Sequence, residues 1–177
     1  MAGGLNKEFL ANPATFLGKY IYSVKDQDLA TGAVQLGFTS LGGNRLQLAK
    51  FASTSKHAHP ISAYFLLAVA DQVNPGSIDT SGADYFFTST MQGCQFIAYG
   101  ASRTSLSVEH NNYLSDTSNY ATRYTASGAA GQTVNTRVYN GGLYTVTSDQ
   151  RDIGNVVGKR DSNGWTLWLS HDAAART

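Results

Sequence analysis

Residues 84–110 read DYFFTSTMQGCQFIAYGASRTSLSVEH, and the rest of the chain is best understood outward from them. Tyr85, Phe86 and Phe87 form an apolar, β-prone run. It ends in Met91-Gln92-Gly93, which predicts a tight turn delivering Cys94. A second β-prone run follows over Gln95–Tyr99, then Gly100–Ser107 predicts a polar loop, and a third run ends at His110. Strand, turn, strand, loop and strand is a sequence by which a sheet brings a thiol and an imidazole together on neighbouring strands. Cys94 is therefore the candidate nucleophile and His110 its candidate base.

Turns and strands alternate on both sides of this stretch. Toward the N-terminus, Leu5, Phe9, Leu10, Phe16 and Leu17 give a weak helical stripe interrupted by Pro13, which predicts a short helix near residues 5–11. Lys19–Val24 alternates as a half-buried strand, and Ala33–Phe38 with Arg45–Phe51 predicts a hairpin across Ser40–Asn44. Ile61–Ala70 is apolar on both faces, as in a central strand covered on two sides, and Asn74-Pro75-Gly76 predicts a turn. Beyond His110, Asn111–Tyr124 reads as loop or one short helix and Ala126–Gln132 as a connector. Two hairpins close the chain, Thr133–Thr147 turning at Asn140-Gly141-Gly142 and Asn155–Ser170 turning at Asp161–Gly164. In the last strand Trp165, Leu167 and Leu169 share one face, with Thr166, Trp168 and Ser170 on the other.

At 177 residues the chain is long enough for one well-buried core and short for two, so residues 1–177 are expected to form a single domain. Charged residues are only 14%, and the net charge is +1 without a basic cluster. A nucleic-acid partner lacks its electrostatic footprint, and a membrane surface is disfavoured for the same reason. The N-terminal residues include Lys7, Glu8, Asn12 and Pro13 where a secretory leader needs an apolar core, so no Sec-type signal is read. The most apolar run, Ala63–Ala70, is far shorter than the roughly 20 residues a spanning helix requires. A single cysteine excludes an intramolecular disulfide framework and suits a reducing cytosol.

The candidate site has local support. Gly93 precedes Cys94 and permits backbone geometry that other residues resist, and a turn there would aim the N–H groups of Gly93 and Cys94 at one point, as an oxyanion hole requires. Thr88 lies where its hydroxyl shares a sheet face with the pair. Glu109 neighbours His110 but points to the opposite face, so it does not orient the imidazole. His57 and His59 share a strand side, but no third ligand lies near, and a loop explains them better than a metal clip. No metal or other cofactor is implied.

Phe86-Phe87-Thr88, then Gly93-Cys94, an apolar strand, a glycine-containing loop and His110 together resemble the Burkholderia lethal factor family. That family belongs with the catalytic domains of the cytotoxic necrotizing factors, whose signature is Leu-Ser-Gly-Cys with a downstream histidine. Here Met91-Gln92 stands in place of Leu-Ser, and the Gly100–Ser107 segment reads as a longer loop. The resemblance implies a β-dominated α/β fold, with two mixed β-sheets packed as a sandwich and a few short flanking helices. It implies a toxin or effector that deamidates a glutamine of a host protein, with Cys94 as nucleophile, His110 as base and Thr88 as support. Transglutamination is the implied side reaction when an amine replaces water. Gln92 and Arg103 are expected at the substrate rim. The implied partner is a host protein bearing the target glutamine, met by a monomer made in a bacterial cytoplasm and exported by an unidentified route to act in a target-cell cytoplasm.

Two other readings share these residues. A Cys-His peptidase or amidase would use the same dyad on a backbone amide or cell-wall linkage. A non-enzymatic β-rich interaction module would keep Cys94 as a small core residue and bind through its Tyr- and Trp-rich C-terminal hairpins.

Overall fold

Pro13 opens a helix instead of ending one. Helix α1 spans Ala2–Ala11 and α2 spans Pro13–Lys19. At the first helical position proline lacks only an N–H that would be unbonded anyway, and the Asn12 side chain caps the start by accepting from the Thr15 N–H at 3.0 Å. The expected helix near 5–11 is thus present and longer, with a second helix added behind it. The computed structural model describes residues 2–52, 59–78, 82–92, 94–112, 144–147 and 153–171.

Among the described residues twelve strands form two sheets. The first six are β1 (Ile21–Val24), β2 (Gly32–Gly42), β3 (Arg45–Lys50), β4 (Ile61–Leu66), β5 (Gln72–Ser77) and β6 (Tyr85–Thr88). The others are β7 (Met91–Gln92), β8 (Gln95–Ser102), β9 (Ser105–Asn112), β10 (Tyr144–Thr147), β11 (Ile153–Asp161) and β12 (Gly164–His171). The larger sheet runs β1-β3-β2-β4-β6-β11-β12, with β7 also paired to β11. It is mixed, because β1–β3 and β4–β6 are parallel while the other ladders are antiparallel. The smaller sheet runs β10-β8-β9-β5 and is antiparallel at every ladder, so the expectation of a mixed sheet holds only for the larger one.

Alternation along the central strands creates a core on each face of the larger sheet. Phe86, Val156, Trp165 and Leu167 turn to one side and meet Phe96, Ala98, Leu106 and Val108 of the smaller sheet. This is the packed interface of a β-dominated sandwich. Phe87, Val157, Ala63 and Phe65 turn to the other side, where Phe9 of α1 and Phe16 of α2 join Phe38, Leu46 and Leu48. Phe38 packs 4.8 Å from Phe16 and 5.4 Å from both Phe9 and Tyr22, ring centre to ring centre. On this side the sheet curls until its two ends approach, β1 against β12. The Asn155 Nδ2 of β11 donates to the Tyr22 carbonyl of β1 at 3.3 Å, across that gap.

Three expected turns and loops are strands instead. Asn74-Pro75-Gly76 lies inside β5, where proline's missing donor is tolerated because β5 is an edge strand. Gly76 is needed there for space: a Cβ would stand 2.9 Å from the Tyr64 hydroxyl oxygen of the larger sheet. Met91-Gln92 forms β7, paired to β11 of the larger sheet with Met91 wholly buried, whereas β8, which follows Cys94, belongs to the smaller sheet. Most of Gly100–Ser107 is strand, leaving only Arg103-Thr104 as a loop with an irregularity between Tyr99 and Ser102. The hairpin of β2 and β3 and that of β11 and β12 form as expected. The expected turn at Asn140–Gly142, the connector at Ala126–Gln132 and nearly all of Asn111–Tyr124 lie outside the described residues.

Candidate active site

Cys94 directly precedes β8, and His110 lies on β9, the antiparallel neighbour of β8. The register sets His110 opposite Phe96 and Asn111 opposite Gln95. Directly opposed residues share a sheet face. His110 therefore faces the inter-sheet core with Phe96, and Cys94 packs in the cluster that contains Phe96 and Met91. Continuing the register by one residue sets Asn112 across from Cys94, with His110 diagonal to the thiol. The sheet thus brings the expected nucleophile and base to one face of adjacent strands.

The pair is enclosed, with Cys94 3% exposed and His110 fully buried. Burial disfavours the charged imidazole and pulls the His110 pKa from 6.5 down to about 4, an effect opposed in part by the Leu66 carbonyl. That carbonyl already accepts from the Ser89 N–H at 3.0 Å, and neither ring nitrogen completes a well-aligned hydrogen bond. At neutral pH the ring is uncharged, the form a general base must have before it takes a proton. An unsatisfied buried polar group costs about 1–3 kcal/mol, so its retention calls for an explanation.

Polar groups collect beside His110, where the parallel strands β4 and β6 end. Ser89 Oγ accepts from the Ala68 N–H at 3.0 Å. Asn74 is paired in register with His110 on β5, and its Nδ2 donates to Thr31 Oγ1 at 2.7 Å and to the Leu67 carbonyl at 2.6 Å. These bonds tie the edge of the smaller sheet to the end of β4. Asn74 was concealed in the sequence by Asn-Pro-Gly, which signals a turn far more strongly than a strand.

Thr88 is buried at the end of β6, and its Oγ1 accepts from the Val156 N–H of β11 at 2.9 Å. This bond holds β11 where the ladder with β6 has ended, one residue beyond the Val157–Phe87 pair. Glu109 faces away from His110 and accepts from the Tyr99 hydroxyl at 3.0 Å, as the alternation predicts.

Arg103 is not at the rim. It follows β8, at the opposite end of that strand from Cys94, and eight strand residues span roughly 26 Å. Its Nε donates to the Trp165 carbonyl at 2.9 Å, its carbonyl accepts from the Trp165 N–H at 2.9 Å, and its Nη2 donates to Thr166 Oγ1 at 2.6 Å. Arg103 therefore clasps the outer edge of β12. Gln92 contributes backbone to β7. Gly93, and with it half of the expected oxyanion turn, lies outside the described residues, as does His57. His59 is exposed. Among the described residues no group of three or more metal-ligating side chains converges, and no helix is long and apolar enough to cross a membrane.

Comparison with protein-family models and with curated proteins finds no match to this chain.

Proposed function

We propose that this chain is a cysteine-dependent protein-glutamine deamidase, a bacterial effector or toxin that converts a glutamine of a host protein to glutamate. The observation that carries this reading is the pairing of β8 with β9, which turns Cys94 and an uncharged His110 toward one face. The order of Thr88, Cys94 and His110 along the chain, as in the lethal factor family, supports it from the sequence. In the reaction, His110 accepts the Cys94 thiol proton as sulfur adds to the carboxamide carbon of the bound glutamine. Backbone N–H groups near Cys94 stabilise the oxyanion, and the imidazolium returns its proton to the departing ammonia. Water, deprotonated by the same imidazole, attacks the thioester, releasing glutamate and restoring the thiol. An amine in place of water gives transglutamination. No cofactor enters these steps. Because Cys94 is 3% exposed, substrate entry requires the segments above it to separate.

The same closure favours a second reading, in which Cys94 is a packing residue of a non-enzymatic interaction module. One experiment separates the two. Purified protein is incubated with target-cell lysate, and released ammonia and intact protein masses are followed for wild type and Cys94→Ser. The deamidase releases ammonia without chain cleavage, and Cys94→Ser does not. Equal behaviour of the two proteins refutes the enzyme. Cleaved chains would instead identify a peptidase.

A further inference from the structure

Asn112 is the last residue of β9, two positions beyond His110 and therefore on the same face of the strand. Its Oδ1 is buried and accepts no hydrogen bond, and both nitrogens of the fully buried His110 ring are also unbonded. An acceptor and a donor are thus each left unsatisfied by the fold, side by side. Side chains at i and i+2 on a strand stand about 7 Å apart at the backbone, and a carboxamide and an imidazole directed toward each other span that gap. Asn112 also lies one position past the last β8–β9 pair, Gln95 with Asn111, at the end of the ladder that Cys94 precedes. The other nearby acceptor, the Leu66 carbonyl, takes the Ser89 N–H and keeps a second lone pair, but makes no well-aligned bond to either ring nitrogen. Glu109 is turned away and accepts from Tyr99, and Asn74 directs its Nδ2 to Thr31 and Leu67 and makes no bond to the ring.

We infer that Asn112 is the positioning residue of the site: its Oδ1 accepts the N–H of His110, fixes the ring's tautomer and turns the other nitrogen toward Cys94. The inference rests on the Cys-His reading above and completes it as a Cys-His-Asn arrangement, a grouping that recurs on unrelated folds because its roles are geometric. The bond would join two groups that the fold leaves unsatisfied two positions apart on one face of β9. It removes two buried unsatisfied groups at once. A neutral acceptor here orders the imidazole without adding a charge to the core, whereas a carboxylate would add a buried charge and raise the ring's affinity for a proton.

The test needs no knowledge of the substrate. Cys94 alkylation by iodoacetamide at pH 7 is compared in wild type, His110→Gln, Asn112→Ala and Asn112→Asp, with thermal unfolding recorded for each. The His110 ring is followed in parallel by ¹⁵N NMR, assigned by its loss in His110→Gln. Positioning predicts that Asn112→Ala slows alkylation on the order of tenfold, toward the His110→Gln rate, as loss of an orienting partner commonly does. It also predicts that Asn112→Ala mixes the His110 tautomers, while Asn112→Asp retains one tautomer and raises the pH at which the ring titrates. If His110→Gln slows alkylation but Asn112→Ala leaves both the rate and the tautomer as in wild type, Asn112 has no such role and the dyad survives. If wild type and His110→Gln react alike, the dyad fails and this inference fails with it. Should Asn112→Ala not fold, Asn112→Asp carries the decision, because an unchanged His110 titration in that variant overturns the inference.

Discussion

Replacing His110 by glutamine should change how the protein's stability depends on pH, and the size of that change follows from burial. In the folded chain the imidazole takes a proton only near pH 4, against 6.5 for an exposed ring. Between those values the unfolded chain binds a proton that the folded chain refuses, so stability rises with pH across the window and is lost as the solution is acidified. At about 1.4 kcal/mol per pKa unit, the wild type loses roughly 3 kcal/mol through this group between pH 7 and pH 4. That is a large fraction of the 5–15 kcal/mol typical of a folded domain. His110→Gln keeps a polar side chain of similar reach and cannot titrate, so it lacks this component, whereas exposed carboxylates contribute alike to both proteins. Urea unfolding at pH 4, 5, 6 and 7 measures the difference directly, with His110→Asn as a second variant. The wild-type free energy should fall about 3 kcal/mol further than the variant's over that range. Parallel curves, diverging by less than about 0.5 kcal/mol, would show that water reaches the ring in the folded state and refute the enclosure argued above.

Other substitutions test the scaffold. Thr88→Val leaves the buried Val156 N–H without its acceptor and should cost about 1–3 kcal/mol by urea unfolding, whereas Thr88→Ser should recover most of that. Gly164 has φ +99°, and a Cβ would stand 2.5 Å from the Arg103 carbonyl oxygen. Gly164→Ala should therefore destabilise by at least ~1–3 kcal/mol and speed hydrogen exchange at the Trp165 amide, which that carbonyl protects. Phe38→Ala removes a fully buried ring from the helix-facing core and should cost about 3–5 kcal/mol, lowering the calorimetric melting temperature by roughly 10 °C.

The legible parts of this fold were those where local chemistry and tertiary environment agree. The hairpin at Asp161–Gly164 forms because Gly164 adopts positive φ and the Asp161 side chain accepts from the Asn163 N–H at 2.7 Å, both readable from turn residues. The two faces of β12 were read from alternation, since Trp165 and Leu167 enter one core while Trp168 packs against the other. Where long-range partners decide, local signals misled. Proline and glycine in β5 signalled a turn, but an edge position excuses the missing N–H and Tyr64 fills the space a side chain would need. Arg103 is polar and next to a glycine-containing run, which suits a rim residue. Its true neighbour, Trp165, is sixty-two positions away in sequence, beyond any local pattern. Cys94 and His110 could be placed on neighbouring strands from spacing. Their enclosure could not, because it depends on the second sheet lying over them.

The meeting of β1 with the far end of the larger sheet sets a condition on how this protein is made. Asn155 and Tyr22 are separated by 133 positions, with Tyr22 on β1 at one end of the layer and Asn155 on β11, next to the strand at its other end. A nascent chain emerging from the ribosome carries Phe9, Phe16 and Tyr22 early, but Val157 of β11 and Trp168 of β12, which complete the same core, follow more than a hundred residues later. Until then those rings have no completed interior to enter. So many pairings between distant segments also predict slow folding. Cellular holdases should associate with the elongating polypeptide until β11 and β12 have been released.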